Sequence, residues 1–289
     1  YSLKDLCGKV VDIPNQQLPE SIEIAERLIE SLKDKEKVAE LITFCSETPS
    51  RVQSLFSIVH YLGLDNHQDE HLEPFNKVFP GISLDEAPKT IRQLDLSGQN
   101  IESINFSGFI HLKILNLNGG KNLTAAKFNS IPASAKASIE ILDLTRVDVK
   151  YFNFSEFINL KSLDLSIVQN LTDDQFNAIP TEAKASIEYI YLVGVNVTGF
   201  DFSGFINLKT LYLGNVQGLT VDQFNEISPQ TKASLETLDL KLMYVTGFDF
   251  SGFTNLKSLD LSIVRNLTAD QFNAIPTEAK ASIGDLYLT

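Results

Sequence analysis

Cysteine, cationic side chains and long apolar runs are scarce in this sequence of 289 residues. With only Cys7 and Cys45, the chain cannot form the disulfide framework of a small secreted domain. The two cysteines favour a reducing compartment, with a single bridge in the N-terminal part as the alternative. No apolar run approaches the roughly 20 residues that span a bilayer, so we expect no membrane insertion. The net charge of −13 argues against nucleic acid as a partner, because phosphate groups are bound by clustered cations.

Motifs that carry catalysis are equally rare. The stretch His67-Gln-Asp-Glu70-His71 matches the pattern H-x-x-E-H, whose two histidines would lie on one helical face and could bind zinc. No third ligand is identifiable, and the acidic start of a solvated helix explains the same residues. The sequence contains neither a phosphate-binding loop nor a nucleophile elbow. We therefore predict a protein that is not an enzyme and that uses no cofactor or metal.

The sequence is rich in repetition. Residues 160–188 return almost unchanged as residues 256–284, and the whole C-terminal part has a period of 48 residues. A catalytic site is a single constellation, whereas repetition at a fixed period is typical of solenoids and arrays. The two passages differ only at Gln169/Arg265, Asp173/Ala269 and Glu188/Gly284.

Leucine-type triplets of the form L-x-L alternate in spacing, with 21 residues from Leu94 to Leu115 and 27 from Leu115 to Leu142. Both lengths are within the range of leucine-rich repeats, whose L-x-x-L-x-L segment is extended and points alternate side chains inward. One unit cannot bury its own apolar side chains, so we expect nine units to stack as a solenoid. The triplets begin at Leu94, Leu115, Leu142, Leu163, Ile190, Leu211, Leu238, Leu259 and Leu286.

The repeats resemble a known family. Residues Leu160–Asp173 are similar to leucine-rich repeats of the cysteine-containing subclass found in F-box substrate receptors, in which the position of Val168 is usually cysteine. The resemblance implies an α/β fold in which residues 86–289 form a leucine-rich repeat solenoid. Its parallel β-sheet would be curved, with nine turns in alternating 21- and 27-residue units. We expect the solenoid to be truncated at its C-terminal end, so that further residues or another molecule cover it.

The first 85 residues follow a different pattern. Pro19–Lys33, Lys35–Ser46 and Thr48–Leu62 carry apolar residues at helical spacing. We predict an N-terminal α-helical domain over residues 1–85 that also shields the open end of the solenoid, as a terminal cap must. By analogy with the repeat subclass, an F-box is the alternative interpretation, although no clear F-box sequence is present.

The two unit lengths predict two different outer faces. In a long unit, Thr172–Ile179 is predicted to be a short helix that starts with a capping box of Thr172 and Gln175 and ends before the following proline. Phe176 and the isoleucine three residues later should face the core together. In the short units, segments such as Phe200–Phe205 are expected to form an internal aromatic spine, with an exposed aromatic groove as the alternative.

The candidate binding surface lies on the strands. The leucines of each L-x-x-L-x-L segment are buried, so the intervening residues project from the face that the resemblance implies is concave. A row of alternating lysine and glutamate from Lys113 to Lys257 is assigned to structure, because opposite charges on adjacent strands stabilise a sheet. Tyrosines near the middle, flanked on both sides by aspartates, are predicted to bind the partner. These residues are Tyr189, Tyr191, Tyr212, Asp143, Asp164, Asp239 and Asp260.

The surface predicts a protein–protein interaction module whose partner has basic features. The near-identical repeats are similar to those of leucine-rich repeat effectors from intracellular bacteria such as Legionella and amoeba-associated chlamydiae. That resemblance implies an effector acting on host proteins, located in the cytoplasm or secreted into a host cell. The alternative is the substrate-recognition arm of a ubiquitin ligase or another enzyme, with the catalytic part in a partner or beyond Thr289.

Overall fold

The computed structural model describes residues 92–102, 104 and 106–288. Nine short parallel strands succeed one another in chain order in one sheet, which confirms the predicted strand order. The first strand, Gln93–Asp95, belongs to one compact unit, and Leu96–Glu102 with Lys113–Thr289 form a second, which carries the other strands. The strands are β1 Gln93–Asp95, β2 Ile114–Asn116, β3 Ile141–Asp143, β4 Ser162–Asp164, β5 Tyr189–Tyr191, β6 Thr210–Tyr212, β7 Thr237–Asp239, β8 Ser258–Asp260 and β9 Asp285–Tyr287.

The register of the sheet stacks the central leucines of the repeats. From β2 to β9, each strand pairs with the next so that these side chains lie directly opposite one another. All of them are buried except Leu286 of β9. The leucine-rich repeat solenoid predicted from the spacing is confirmed, while the curvature of its sheet stays a prediction. The stacked residues are Leu115, Leu142, Leu163, Ile190, Leu211, Leu238, Leu259 and Leu286.

Each long unit contributes two short helices. The first ends before the proline, as predicted, but a second helix begins directly after it and was not predicted. Pro180 occupies the N-cap of that second helix, where its missing N–H leaves no helical hydrogen bond unmade. The described helices are α1 Ala125–Asn129, α2 Ala133–Ser138, α3 Asp173–Asn177, α4 Thr181–Ser186, α5 Val221–Asn225, α6 Pro229–Ser234, α7 Ala269–Ala274 and α8 Thr277–Ser282.

The predicted capping box at the start of α3 is confirmed. The backbone N–H of Gln175 donates to the Thr172 hydroxyl at 3.3 Å, and the Thr172 N–H donates to the Gln175 side-chain oxygen at 3.1 Å. The Gln175 amide also donates to the carbonyl oxygens of Val149 and Phe152, at 2.8 and 2.9 Å. One side chain therefore caps its own helix and ties it to the preceding short unit. The same arrangement recurs in α5 and α7.

The aromatic side chains form an internal spine, as predicted, and not an exposed groove. Phe176 of α3 is fully buried and stacks on Phe200 of the next short unit, with ring centroids 4.2 Å apart and ring planes 9° apart. Phe202 meets the same ring edge-on at 5.8 Å. Phe128 with Phe152 and Phe224 with Phe248 repeat this stack. Aromatic packing between helix and short unit thus holds successive turns together.

The lysine–glutamate row on the sheet is confirmed as a structural ladder. Glu140 pairs with Lys113 at 2.8 Å and with Lys161 at 2.7 Å. Hydrogen bonds from these two lysines lower the pKa of Glu140 to about 2. Further along the sheet, Lys209 pairs with Glu188 and Lys257 with Glu236, each at 2.6 Å. Lysines and glutamates of this row therefore pair with one another across adjacent strands.

Several predictions fall outside this part of the chain. The N-terminal helical domain over residues 1–85, the H-x-x-E-H stretch and both cysteines lie outside the described residues. Among the described residues, no helix combines the length and apolar character needed to cross a bilayer.

Candidate functional site

The strands present one face to the buried leucines and the opposite face, here called the open face, away from the core. The last residue of each strand projects from the open face, and these residues lie side by side in register. Adjacent strands are about 4.8 Å apart, so the row from β3 to β8 is about 24 Å long. From β2 to β9 the row reads Asn116, Asp143, Asp164, Tyr191, Tyr212, Asp239, Asp260 and Tyr287.

The three tyrosines predicted as a cluster are brought together at the middle of this face. The rings of Tyr191 and Tyr212 stack, with centroids 5.1 Å apart and planes at 30°. Tyr189 lies two residues before Tyr191 on the same strand, so both project from the open face. Burial raises the pKa of Tyr191, and the nearby Tyr212, Asp164 and Tyr189 add to that shift. The cluster therefore has a partly desolvated centre with Tyr189 at its more exposed side.

The four predicted aspartates also have a structural role that the sequence reasoning missed. Each accepts a hydrogen bond from the backbone N–H two residues later, which closes the turn after its strand. For example, Asp164 accepts from Ser166 at 2.8 Å and Asp239 from Lys241 at 2.7 Å. Asp143 and Asp260 do the same. The recurrent Asp-Leu-x at the strand ends was the available signal. Since a carboxylate has two oxygens, one turn bond leaves acceptor capacity for a partner.

The tyrosines cannot take over this turn-closing role. The acceptor atom of tyrosine is at the far end of a rigid ring, beyond reach of the backbone N–H two residues later. At the position of Asp164 and Asp239, strands β5 and β6 instead carry Tyr191 and Tyr212. The turn therefore explains the aspartates in part, but it does not explain the two stacked tyrosines.

The electrostatics of the row are acidic on both sides of the tyrosines. Asp164 is directly opposite Tyr191, and Asp239 is directly opposite Tyr212. Burial raises the pKa of Asp239, and the neighbouring charge of Asp260 raises it further, while the Lys241 N–H opposes both. A cationic group that approached this row would relieve the mutual repulsion of the carboxylates.

A row of turn residues beside the open face was not identified from the sequence. Three residues after the last strand position, the backbone takes up the left-handed conformation in every turn from β1 to β8. Isoleucine and leucine occupy three of these positions, and such residues bear a strain of order 1 kcal/mol there. The signal was the glycine or asparagine that the other repeats mostly place at this position. The residues are Gly98, Gly119, Arg146, Ile167, Gly194, Asn215, Leu242 and Ile263.

Metal-binding chemistry has little support in the described chain. In that part, no three side chains of His, Cys, Asp or Glu converge as metal ligands would. His111 is exposed, and in the neighbouring repeats its position holds Asn159 and Asn207, whose amides donate to backbone carbonyls of the preceding unit. The histidine thus occupies a position with a structural role in those units.

Comparisons by sequence find no matches. No protein-family model matches the chain, and no curated protein is similar to it.

Several solved structures are similar to this chain, among them three bacterial proteins. A leucine-rich repeat protein of Leptospira interrogans has a TM-score of 0.48 and 19% identity, over 70% of this chain and 49% of its own. The functional domain of InlJ from Listeria monocytogenes, which includes a cysteine ladder, has a TM-score of 0.44 and 17% identity, over 70% and 46%. An internalin, InlF, from Listeria monocytogenes has a TM-score of 0.35 and 12% identity, over 76% and 88%.

This chain spans about half the length of the first two structures. The assignment of its fold therefore depends on features of the chain itself. By its strand order, its register and its repeated L-x-x-L-x-L segments, the described part of the chain has the leucine-rich repeat fold.

Proposed function

We propose that this protein is a protein–protein interaction module whose open face binds a protein with basic features, and not nucleic acid. The observation that carries the proposal is the stacked pair Tyr191 and Tyr212 at the middle of the row. At this position the flanking strands use aspartate to close their turns, so the tyrosines have no equivalent structural explanation. Tyr189 extends the aromatic surface on the same strand.

The chemistry of the surface favours a basic protein. Tyrosine offers a large apolar area with few rotatable bonds, and it is enriched where binding energy concentrates. The flanking Asp143, Asp164, Asp239 and Asp260 would attract a basic partner and make its association rate depend on salt. A row about 24 Å long is compatible with an interface of standard size, about 800 Å² on each partner.

The test compares a triple variant, Tyr189→Ala, Tyr191→Ala and Tyr212→Ala, with the parent chain. Partners captured by the parent chain from cell lysate would be purified and titrated against both proteins by calorimetry. We expect the triple variant to bind at least about thirtyfold more weakly, because truncation of a hot-spot residue costs roughly 2 kcal/mol or more. Tyr151→Ala removes an exposed tyrosine outside the open face and should leave the affinity unchanged. Equal affinity of the triple variant would contradict the proposal.

We further propose that the module is a bacterial effector that acts on host proteins in the host cytoplasm. The support is the near-identity of residues 160–188 and 256–284, which resembles the repeat expansion of such effectors. A reporter enzyme fused to the chain in its source bacterium should reach the host cytoplasm during infection. Retention of the fusion in the bacterium would exclude the effector role.

The alternative is a substrate-recognition arm of a ubiquitin ligase. It is supported by the similarity of the long units to the cysteine-containing repeats of F-box receptors, with valine or glycine at the cysteine position. A ligase subunit that co-purifies with the chain in stoichiometric amount would favour this alternative.

A further inference from the structure

Each strand from β4 to β8 carries at least one aromatic or large aliphatic residue at the site, either on the open face or in the turn that follows. On β5 and β6 it is a face tyrosine, and the left-handed turn position holds glycine or asparagine. On β4, β7 and β8 the face residue is aspartate, and the turn position holds isoleucine or leucine. We call these turn positions the ledge: Ile167, Gly194, Asn215, Leu242 and Ile263.

The apolar ledge residues are unfavourable for the fold itself. Ile167, Leu242 and Ile263 are 48%, 46% and 54% exposed, so their burial contributes little to the core. Their φ angles of 57°, 63° and 58° are in the left-handed region, which branched side chains avoid. Gly194 and Asn215 show which residues the same turn accepts without that penalty.

Repeat duplication does not account for the whole pattern. Ile167 and Ile263 belong to the two near-identical passages, so copying could have placed both of them. Leu242 lies outside those passages, on the turn that corresponds to Arg146 and Gly194. An exposed aliphatic residue in the left-handed position has therefore arisen in both kinds of repeat unit.

We infer that the open face and its ledge together bind an amphipathic, basic helix of the partner, lying across the strands from β4 to β8. This inference rests on the proposed function. The apolar stripe of the helix contacts the ledge residues and the stacked tyrosines, and its basic residues reach the aspartates. The contacted apolar residues are Ile167, Tyr191, Tyr212, Leu242 and Ile263, and the acidic ones are Asp164, Asp239 and Asp260.

The spacing of the strands favours a helix over an extended segment. A helix advances about 5.4 Å per turn, close to the 4.8 Å between strands, so each turn brings an apolar side chain to one strand. An extended segment places same-face side chains about 6.7 Å apart and loses this match. Four strand spacings are about 19 Å, which corresponds to a helix of roughly 13 residues.

The charges of the site require the polar residues of the bound helix to be basic. Asp164 lies beside the apolar Ile167 turn, and Asp239 and Asp260 precede the turns of Leu242 and Ile263. A basic residue next to an apolar residue around the circumference of the helix would therefore meet a carboxylate beside that apolar contact. An acidic helix of the same shape would be repelled by the same carboxylates and by the net charge of −13.

The test uses a labelled 14-residue peptide of leucine and lysine with leucines spaced three and four residues apart, measured by fluorescence anisotropy. Two control peptides separate the contributions of helix and charge. One has the same composition in scrambled order and tests the helix, and the other has glutamate in place of lysine and tests the charge. We expect the amphipathic basic peptide to bind at least tenfold more tightly than either. No binding of this peptide, or equal binding of the scrambled one, would overturn the inference.

The ledge variant Leu242→Asn with Ile263→Asn separates this inference from the proposed function. Asparagine is native at the equivalent position, Asn215, so the fold should keep or gain thermal stability while the peptide binds at least tenfold more weakly. Ile206→Asn, at an isoleucine of similar exposure outside the ledge, is the matched control. If the ledge variant binds the peptide with wild-type affinity while Tyr191→Ala and Tyr212→Ala lose affinity, the helix across the ledge is overturned. The proposed function then still stands. Wild-type affinity in both sets of variants overturns both.

Discussion

Asp239 and Asp260 lie directly opposite each other on adjacent parallel strands. Burial raises the pKa of Asp239 above its usual value, and the charge of Asp260 adds to the shift. Because the folded-state pKa is raised above the unfolded one, the ionised carboxylate of Asp239 opposes folding at neutral pH, and this cost disappears as the pH falls below both values. The fold thus retains at this position a charge that it does not favour.

The first prediction is that Asp239→Asn keeps or raises the stability of the fold while it weakens binding of the basic peptide. Asn116 occupies the equivalent position on β2 and accepts the same turn bond, from Asn118 at 2.9 Å, so asparagine can close the turn. At pH 7 we expect the variant to unfold at equal or higher urea concentration than the parent, and the difference should shrink in acid. Its affinity for the basic peptide should fall. A clearly lower free energy of unfolding at pH 7 would contradict this account of Asp239.

The second prediction concerns acid sensitivity at Glu140. Hydrogen bonds from Lys113 and Lys161 lower its pKa from 4.5 to about 2 in the folded state. A lowered folded-state pKa gives stabilisation that is fully present above about pH 4.5 and is lost as the pH falls through about 2. Glu140→Gln should therefore lower stability at pH 7 by about 1 kcal/mol, after allowance for solvent screening, and this effect should become much smaller as the pH approaches about 2.

The control for Glu140 is a glutamate of the same ladder with a single ion pair. Within the described part of the ladder, Glu236 forms one salt bridge, with Lys257, so Glu236→Gln should cost less at pH 7. Thermal unfolding by circular dichroism between pH 2 and 7 measures both variants. A pH profile for Glu140→Gln that runs parallel to that of the parent would disprove the role of Glu140.

Repetition explains why the sheet could be predicted so closely from the sequence. A one-residue shift of a strand would expose its buried leucine, so each L-x-L triplet fixes its own register. With nine triplets the order of the strands follows from their order in the chain. The clustering of Tyr189, Tyr191 and Tyr212 then follows from register alone, because neighbours in the row are neighbours in space.

The second helix of each long unit could not be predicted from the repeat pattern. Helix α4 has the sequence TEAKAS, which lacks an apolar stripe, and its lysine is almost completely buried. Lys184 lies 3.7 Å from Asp201 of the next short unit, and the equivalent Lys232 lies 3.8 Å from Asp249 of the short unit that follows it. Partners that belong to a different turn of the solenoid make a buried lysine acceptable, and local sequence does not reveal them.

The ledge was not predicted because the residue types at its positions favour a different backbone conformation. Isoleucine at Ile167 and Ile263 favours extended backbone, not the left-handed region in which both lie. Only alignment with Gly98 and Gly119 at the same repeat position indicates the turn. Tertiary context overrides local preference at these positions.

The third prediction tests the bridging role of Gln175. Replacement by alanine removes the capping box and the two hydrogen bonds to the carbonyl oxygens of Val149 and Phe152. The Val149 carbonyl keeps the Phe152 N–H, which donates to it at 3.0 Å, so the main cost is the Phe152 carbonyl that loses the Gln175 donor, about 1–3 kcal/mol. With the lost cap added, we expect a loss of at least about 2 kcal/mol in urea unfolding. Thr172→Ala removes only the cap and should cost about 1 kcal/mol. Equal losses for the two variants would show that the bridge contributes nothing.

The fourth prediction compares equivalent phenylalanines in two turns of the solenoid. Phe176 is fully buried and contacts three rings of the following short unit, whereas Phe272 in α7 is only half-buried. A fully buried phenylalanine replaced by alanine typically costs about 3–5 kcal/mol, so Phe176→Ala should lose that amount and Phe272→Ala less than half of it.

The position of Phe176 predicts a second effect. Successive units of a solenoid are coupled mainly through neighbour contacts, and Phe176 provides such a contact in the interior of the array. Phe176→Ala should therefore also broaden the urea transition, as the turns on either side unfold less cooperatively, while Phe272→Ala should keep the parent slope. Circular dichroism measures both midpoint and slope. Similar losses and equal slopes for the two variants would mean that the aromatic spine does not couple the turns.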